Sequence, residues 1–292
     1  MGGIMMGGAE ALAAARPVPV VALHCSGADG GQWRRLATAL GRGFAVTAPD
    51  FYGCEGQGPW PGERAFSLAE EARLLIHHID AAAQPVHLVG HSYGGGVALR
   101  IALERPGKIA SLALYEPSAF HLLRDGDREA QAALAEIRGV ARACGRAVCS
   151  GDQRRAAAGF VDYWGGSGAW AALRPEHQAK LIRWTPKAPL DFHALIEEPT
   201  RAEAFRALQL PVLLLRGEHA PAPTRAVAAR LRQVLPDCRL ETVAGAGHMG
   251  AVTHAEAVNA LIRRHLLALS GGPGARLAAA GSPGRAAAAA EP

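Results

Sequence analysis

Residues 86–100, with the sequence VHLVGHSYGGGVALR, constrain the fold of this chain more than any other stretch. Residues 86–90 are mostly apolar and predict a short buried strand, and the small and apolar residues after position 94 predict a helix. Residues 90–94 between them read Gly-His-Ser-Tyr-Gly. This is the G-x-S-x-G pattern of a nucleophile elbow, a sharp strand-to-helix turn with a serine at its apex.

The residue types in this turn fit that geometry. In such an elbow we expect Ser92 in a strained conformation that holds its hydroxyl above the sheet. Gly90 and Gly94 are expected where neighbouring backbone passes too close to leave room for a Cβ atom. The backbone N–H of Tyr93, at a helix N-terminus, points at the space where an oxyanion would form. The stretch therefore predicts a nucleophilic serine at the carboxyl end of a buried strand.

Apolar runs and amphipathic stretches alternate through much of the chain. The predicted strands are 18–24, 44–48, 86–90, 109–115, 210–216 and 239–243, and the predicted helices are 32–40, 68–82, 93–104, 224–234 and 255–267. Strands that are apolar on both faces indicate a parallel sheet covered by helices on both sides. Right-handed crossovers then give a doubly wound α/β fold with its chemistry at the carboxyl ends of the strands.

Residues 120–207 interrupt this alternation. They carry no strand signal and contain three of the five tryptophans, Trp164, Trp170 and Trp184. We predict a helical cap over the elbow, with Trp164 as a candidate substrate contact in an apolar pocket. The predicted domains are therefore a core of 17–119 and 208–269, a cap of 120–207, a disordered leader of 1–16 and a disordered, low-complexity tail of 270–292.

A serine hydroxyl needs a general base, and the base needs an acidic partner to orient it. The expected chain order for such an elbow is serine, acid, histidine. His248, in the sequence GAGHMG just after the last predicted strand, is the favoured base, and His254 is the alternative. His24 and His91 flank the elbow as structural hydrogen-bond donors, and His91 is also a candidate substrate contact.

Charge and cysteine content exclude several classes of function. The net charge of +5 comes mostly from scattered arginines, with no basic run interleaved with aromatics, so we expect no nucleic-acid surface. The five cysteines include no Cys-x-x-Cys pair, which disfavours a disulfide framework or a zinc site and favours a reducing, cytoplasmic location.

Other sequence signals are missing as well. No apolar run approaches the roughly 18 residues of a membrane span, and a signal peptide over the N-terminal residues is the less favoured alternative to a leader. We find no dinucleotide fingerprint, metal cluster or phosphate loop, so no cofactor and no metal are expected. The sequence does not indicate an oligomeric state.

Residues from about 18 to 269 resemble the α/β-hydrolase fold superfamily, in its capped, serine-nucleophile type. The segments LHCSG, APDFYG, GHSYGG and GAGHMG occur in the order typical of that family. The family's oxyanion loop usually reads His-Gly-x, and here Cys25 holds the glycine position. The resemblance then implies that Ser26 offers the second oxyanion N–H, beside that of Tyr93.

The acid of this family usually lies three residues after the glycine that ends the penultimate strand, and here that position is Ala220. Glu116 stands at the end of the strand after the elbow helix, where some members, including certain haloalkane dehalogenases, carry their acid. Glu218 lies beside the vacant position. We favour Glu116 because it directly follows a buried strand, and Glu218 is the alternative.

The resemblance implies acyl transfer to water, with a small ester, lactone or thioester bearing an apolar group as substrate. Ser92 rather than an aspartate at the apex disfavours a dehalogenase or an epoxide hydrolase. One alternative is a C–C bond hydrolase or a perhydrolase-like enzyme with the same residues. It would hold a carboxylate with a pocket arginine, for which Arg100 and several arginines of the cap are all candidates. Another is a non-catalytic binding protein for small ligands, favoured if neither Glu116 nor Glu218 reaches His248.

Overall fold

The computed structural model describes residues 16–62 and 64–270. Its centre is a six-stranded sheet in which all neighbouring strands are parallel, in the order β2-β1-β3-β4-β5-β6. The strands are β1 (Val18–Leu23), β2 (Phe44–Thr47), β3 (Val86–His91), β4 (Ile109–Tyr115), β5 (Val212–Gly217) and β6 (Cys238–Val243). The doubly wound parallel sheet predicted from the sequence is confirmed.

Helices connect these strands. They are α1 (Arg34–Leu40), α2 (Leu68–Asp80), α3 (Tyr93–Glu104), α4 (Arg128–Cys149), α5 (Gln153–Gly165), α6 (Ala169–Ala172), α7 (Pro175–Trp184), α8 (Ala188–Glu197), α9 (Ala222–Val234), α10 (Gly250–Thr253) and α11 (Ala255–Ser270). Short 3₁₀ helices occupy Gly30–Trp33, Gly41–Gly43, Pro106–Lys108, Phe120–Leu123, Thr185–Lys187 and Ala202–Ala207. The predicted leader and tail lie outside the described residues, except for Arg16 and Ser270, and Ser270 ends α11.

The sheet is buried on both faces because its central strands are apolar at successive positions. Leu88, Leu112 and Leu214 face one core cluster, and Val89, Ala113 and Leu213 face the other. Helices α2, α3 and α9 contribute to the first cluster, whereas α1 and α11 contribute to the second. Burying each large aliphatic side chain contributes about 1.5–3 kcal/mol, so this layered core holds the carboxyl ends of the strands in place.

Residues 120–207, which we call the inserted segment, join β4 to β5. The structure describes all of them, and they form helices α4 to α8 with 3₁₀ turns and no strand. The segment packs at the carboxyl end of the sheet: Asp191 of α8 accepts from Ser26 in the loop after β1, and Trp164 of α5 lies against His248 in the loop after β6. That the segment is a separate cap domain stays a prediction.

Two further observations concern membrane-spanning helices and cysteines in the described part of the chain. Within residues 16–62 and 64–270, no helix is both long enough and apolar enough to cross a membrane. The five cysteines are all free thiols, three of them buried.

Candidate active site

The elbow has the predicted strand–turn–helix form. Strand β3 ends at His91, helix α3 begins at Tyr93, and Ser92 between them has φ 54° and ψ −117°. A Cβ atom on Gly94 would lie 2.3 Å from the Leu23 carbonyl oxygen, and one on Gly90 would lie 2.7 Å from the Gly94 carbonyl oxygen. Both distances are far below van der Waals contact, so only glycine fits at either position.

Ser92, His248 and Glu116 form one hydrogen-bonded line. His248 Nε2 lies 2.9 Å from Ser92 Oγ, and His248 Nδ1 lies 2.8 Å from Glu116 Oε2. Only 7% of Ser92, 2% of His248 and none of Glu116 is exposed. Because an ionised carboxylate only accepts hydrogen bonds, Nδ1–H donates to Glu116 and leaves Nε2 to accept from the serine hydroxyl.

Glu116 follows β4 directly and is held from several sides. Its Oε1 accepts from the Gly217 backbone N–H at 2.8 Å, and its Oε2 also accepts from the Thr224 hydroxyl at 2.8 Å. Its backbone has φ 41°, and in the described part of the chain Ser92 is the only other non-glycine residue with a positive φ. Such strain persists only where the surroundings impose it, and it is typical of functional sites.

Glu218 does not approach His248 in this way. Its carboxylate is exposed and accepts from the Gly245 backbone N–H at 2.8 Å, whereas Ala220 beside it is buried. Likewise, His254 hydrogen-bonds through Nδ1 to the neighbouring Thr253 hydroxyl at 2.9 Å. The structure therefore brings together the favoured pair of candidates, Glu116 and His248, and leaves both alternatives aside.

The two expected oxyanion donors are Tyr93, directly after Ser92, and Ser26, in the loop after β1. The backbone N–H groups of Tyr93 and Ser26 have no acceptor among the residues that the structure describes. The N–H of Cys25, by contrast, donates to Gln32 Oε1 at 3.1 Å. Cys25 itself is buried, and burial raises the pKa of its thiol to about 12. The residue in the glycine position is therefore a neutral thiol.

His91 does not contact the cavity, so its prediction as a substrate contact is wrong. It is fully buried; its Nε2 donates to the His248 carbonyl at 2.9 Å, and its Nδ1 accepts from Gln32 Nε2 at 3.1 Å. Burial lowers the pKa of His91 to about 3 and keeps the ring neutral. With both ring nitrogens occupied, His91 supports the loop that carries His248, which is the structural role that the sequence also suggested.

His24, Asp50 and Cys54 form a group that could hold a metal ion, with their donor atoms within 4.8 Å of one another. Hydrogen bonds within the protein already use these atoms. His24 Nδ1 donates to the Cys25 carbonyl, and His24 Nε2 accepts from the Phe51 N–H at 3.3 Å. Asp50 Oδ1 accepts from the Gly30 N–H at 2.8 Å. The group therefore joins the loop after β1 to the loop after β2 through hydrogen bonds.

A cavity of about 720 Å³ lies beside the site, but Ser92, Tyr93 and His248 are not part of its wall. Ser26, Trp164 and Met249 are part of its mostly apolar wall, together with Phe160, Val161 and Leu181. The Trp164 ring also lies against the His248 ring, with centroids 4.1 Å apart. Trp164 therefore contacts both the cavity and His248, and its role as a substrate contact stays a prediction.

The sequence did not point to several residues that the structure places at the site. Ser118 Oγ lies 3.2 Å from Ser92 Oγ, and Gln32 contacts both Cys25 and His91. Glu71, Lys187 and Asp191 form a buried ionic cluster next to Tyr93 and Ser26. Two signals could have indicated the cluster: Glu71 lies on the apolar side of α2, and Lys187 and Asp191 are four residues apart.

The chain is similar to known hydrolases over most of its length. The model for the "Alpha/beta hydrolase family" matches residues 20–261. A pimeloyl-[acyl-carrier protein] methyl ester esterase of Chromobacterium violaceum is 29% identical over 248 residues, which are 85% of this chain and 93% of that esterase.

Two further likenesses are more limited. Lipase LipV of Mycobacterium tuberculosis is 36% identical over 114 residues, but this match covers 38% of the present chain and 41% of the lipase's length. A hydrolase from Pseudomonas aeruginosa has a crystal structure that aligns with a TM-score of 0.64, 23% identity and 92% coverage of both chains. At that identity, the structural likeness shows a shared fold.

Proposed function

Because this chain belongs to the alpha/beta hydrolase family, we propose that it is a serine hydrolase cleaving a small ester, lactone or thioester with an apolar group. The observation that carries the proposal is the line of hydrogen bonds from Ser92 through His248 to Glu116, at 2.9 and 2.8 Å. A nucleophile, its general base and the acid that orients the base must lie within hydrogen-bond distance in this order. The positive φ of both Ser92 and Glu116 adds support.

In the proposed acylation, Ser92 Oγ attacks the acyl carbon while His248 Nε2 takes the hydroxyl proton. The buried carboxylate of Glu116 stabilises the imidazolium that forms. The carbonyl oxygen becomes an oxyanion, which the backbone N–H groups of Tyr93 and Ser26 receive. The tetrahedral intermediate then collapses, and His248 gives its proton to the leaving alcohol or thiol.

Deacylation repeats these steps with water as the nucleophile. His248 Nε2 takes a proton from the water as its oxygen attacks the acyl carbon of the acyl-enzyme. When the second tetrahedral intermediate collapses, Ser92 Oγ leaves and recovers the proton from the imidazolium. The products are a carboxylic acid and the free enzyme.

The substrate class follows from the cavity wall. Phe160, Trp164, Leu181 and Met249 offer apolar surface, and Ser26 places the cavity next to the proposed oxyanion site. An apolar acyl or alkoxy group would bind there with its carbonyl directed toward Ser92. The Chromobacterium violaceum relative is a methyl ester esterase, which agrees with ester cleavage.

The two alternatives differ in their support. A binding protein without turnover is favoured if no glutamate reaches His248, and Glu116 lies 2.8 Å from it. C–C bond cleavage needs an arginine in the pocket. Arg100 pairs with Glu104 and Glu198, but Arg34 and Arg35 are part of the cavity wall, so C–C bond cleavage stays the second candidate activity.

The test is hydrolysis of p-nitrophenyl esters from acetyl to long acyl chains by the wild-type protein and Ser92→Ala. We expect the substitution to lower kcat by about 10⁵–10⁶-fold and to abolish labelling by a fluorophosphonate. Ser150→Ala is the matched control, since Ser150 is an exposed serine at the end of α4, and this variant should keep the wild-type turnover and labelling. Folded wild-type protein that neither turns over an ester nor is labelled at Ser92 would refute the proposal.

A further inference from the structure

Three charged side chains, Glu71, Lys187 and Asp191, form what we call the Lys187 cluster. The ammonium nitrogen of Lys187 lies 2.7 Å from Glu71 Oε2 and 2.6 Å from Asp191 Oδ1. None of Glu71, 5% of Lys187 and 4% of Asp191 is exposed. Glu71 belongs to α2, whereas Lys187 and Asp191 belong to the inserted segment, so the cluster ties that segment to the core.

The cluster ends on the two residues whose N–H groups are expected to hold the oxyanion. Ser26 Oγ donates to Asp191 Oδ2 at 2.6 Å, and the Tyr93 hydroxyl donates to Glu71 Oε2 at 2.6 Å. A continuous path of hydrogen bonds therefore runs from Ser26 through the cluster to Tyr93. The remaining Glu71 oxygen accepts from the Tyr52 N–H at 2.9 Å.

Joining two helices through buried charged groups costs free energy, because the charges lose their hydration. Two carboxylates share one ammonium out of water, and burial raises the pKa of Asp191 to about 6. Apolar side chains of similar size often give equal or greater stability than a buried ion pair. The charged groups instead fix the positions of their hydrogen-bond partners, because charge-assisted hydrogen bonds are short and geometrically strict.

We propose that the Lys187 cluster is a positioning device that fixes Ser26 and Tyr93 as oxyanion donors. This inference rests on the proposed serine hydrolase function. Lys187 and Asp191 touch no reacting atom, so they act through Ser26 and Tyr93. Because Lys187 and Asp191 lie in the inserted segment, the oxyanion site is complete only while that segment is docked on the core.

The local structure explains how the cluster acts on the backbone. The Ser26 hydroxyl and N–H belong to one residue, so fixing the hydroxyl on Asp191 limits rotation of the loop. The next residue, Gly27, has φ 74°, a conformation that adds little restraint of its own. The Tyr93 ring packs edge-on against Phe51 at 5.1 Å, and its hydroxyl is held by Glu71.

The experiment uses Asp191→Asn and the triple variant Glu71→Leu/Lys187→Met/Asp191→Leu, which removes all three buried charges together. We expect kcat for p-nitrophenyl esters to fall about tenfold to a hundredfold, less than the 10²–10³-fold typical of losing an oxyanion donor outright. KM should change less than threefold. The inhibition constant of a trifluoromethyl ketone, which forms a tetrahedral oxyanion on Ser92, should rise by the same factor as kcat/KM falls.

A double-mutant cycle tests whether Asp191 acts through Ser26. If it does, Ser26→Ala should reduce kcat, and adding Asp191→Asn to that variant should change it less than twofold further. The matched control is Arg100→Met/Glu198→Gln. It breaks another ion pair, at 3.0 Å, between α3 and the inserted segment without touching Ser26 or Tyr93. The control should lower Tm but leave kcat and the ketone's inhibition constant unchanged.

The outcomes separate this inference from the proposed function. Cluster variants with a lower Tm but with kcat and ketone inhibition within twofold of wild type would refute the positioning role, as would an equal loss of kcat in the control. Folded wild-type protein that neither turns over an ester nor is labelled at Ser92 by fluorophosphonate would instead refute the hydrolase proposal. If no ester in the panel is turned over, the rate of fluorophosphonate labelling replaces kcat as the readout.

Discussion

Two buried acidic centres flank Ser92, and they differ in how their charge is balanced. Glu116 is bonded to His248, to the Thr224 hydroxyl and to the Gly217 N–H. Within the described residues it has no lysine or arginine partner. In the Lys187 cluster, on the other side, Glu71 and Asp191 share the ammonium group of Lys187.

This difference separates two uses of a buried carboxylate. A carboxylate held only by neutral donors keeps its full attraction for a positive charge that forms next to it, such as an imidazolium. A carboxylate already paired with an ammonium group has little further attraction to offer, but it holds its hydrogen-bond partners firmly. Glu116 therefore suits a role in the reaction, and the Lys187 cluster suits the fixing of geometry.

The largest effect should come from making the first centre neutral. In Glu116→Gln, the amide can donate to His248 Nδ1, which leaves the proton on Nε2, where it blocks acceptance from Ser92. We expect kcat to fall about 10⁴-fold, as when other triads lose their acid's charge, measured with the best p-nitrophenyl ester. Glu218→Gln is the control, and a larger loss in that variant would reverse the assignment of the acid.

A smaller effect, on stability, should follow from removing the cation of the second centre. Lys187→Met leaves Glu71 and Asp191 buried and unpaired, which should lower the free energy of unfolding by about 3–5 kcal/mol. Urea unfolding followed by circular dichroism measures it. Arg264→Met, which breaks an exposed pair with Glu241, should cost at most about 1 kcal/mol. Similar losses in both variants would mean that burial adds nothing to this ion pair.

The smallest effect is a change in how steeply stability falls at acid pH when Asp191 is replaced. Burial lowers the pKa to about 3 or 4 at five histidines: His24, His87, His91, His121 and His265. The unfolded chain binds protons at these positions below about pH 6.5, so the wild-type protein should lose stability as pH falls from 6.5 to 4. The raised pKa of Asp191, about 6, works in the opposite direction, because only the folded state binds that proton between pH 6 and 4.

Asp191→Asn should therefore steepen the loss of stability between pH 6 and 4 by up to one proton. Urea midpoints at pH 7.5, 6 and 5 give the slope for both proteins. An unchanged or shallower slope in the variant would show that Asp191 stays ionised throughout this range, as a fully compensated carboxylate would.

How far the sequence could predict each region depends on the range of the interactions. The strand, turn and helix around Ser92 were predictable because adjacent residues determine them. The Lys187 cluster was not, since Lys187 bonds to Glu71 across 116 positions and Ser26 bonds to Asp191 across 165. His91 was wrongly predicted to contact the substrate because its hydrogen-bond partners, Gln32 and the His248 carbonyl, lie 59 and 157 positions away.

The contact between Trp164 and His248 also gives this protein an intrinsic optical reporter. A protonated imidazole quenches indole fluorescence on contact far more than a neutral one does. The ring centroids are 4.1 Å apart, so Trp164 emission should dim whenever His248 carries a proton, and Trp164→Phe identifies this signal among the five tryptophans. Stopped-flow fluorescence then follows the charge of the proposed base within a single turnover, without an added dye.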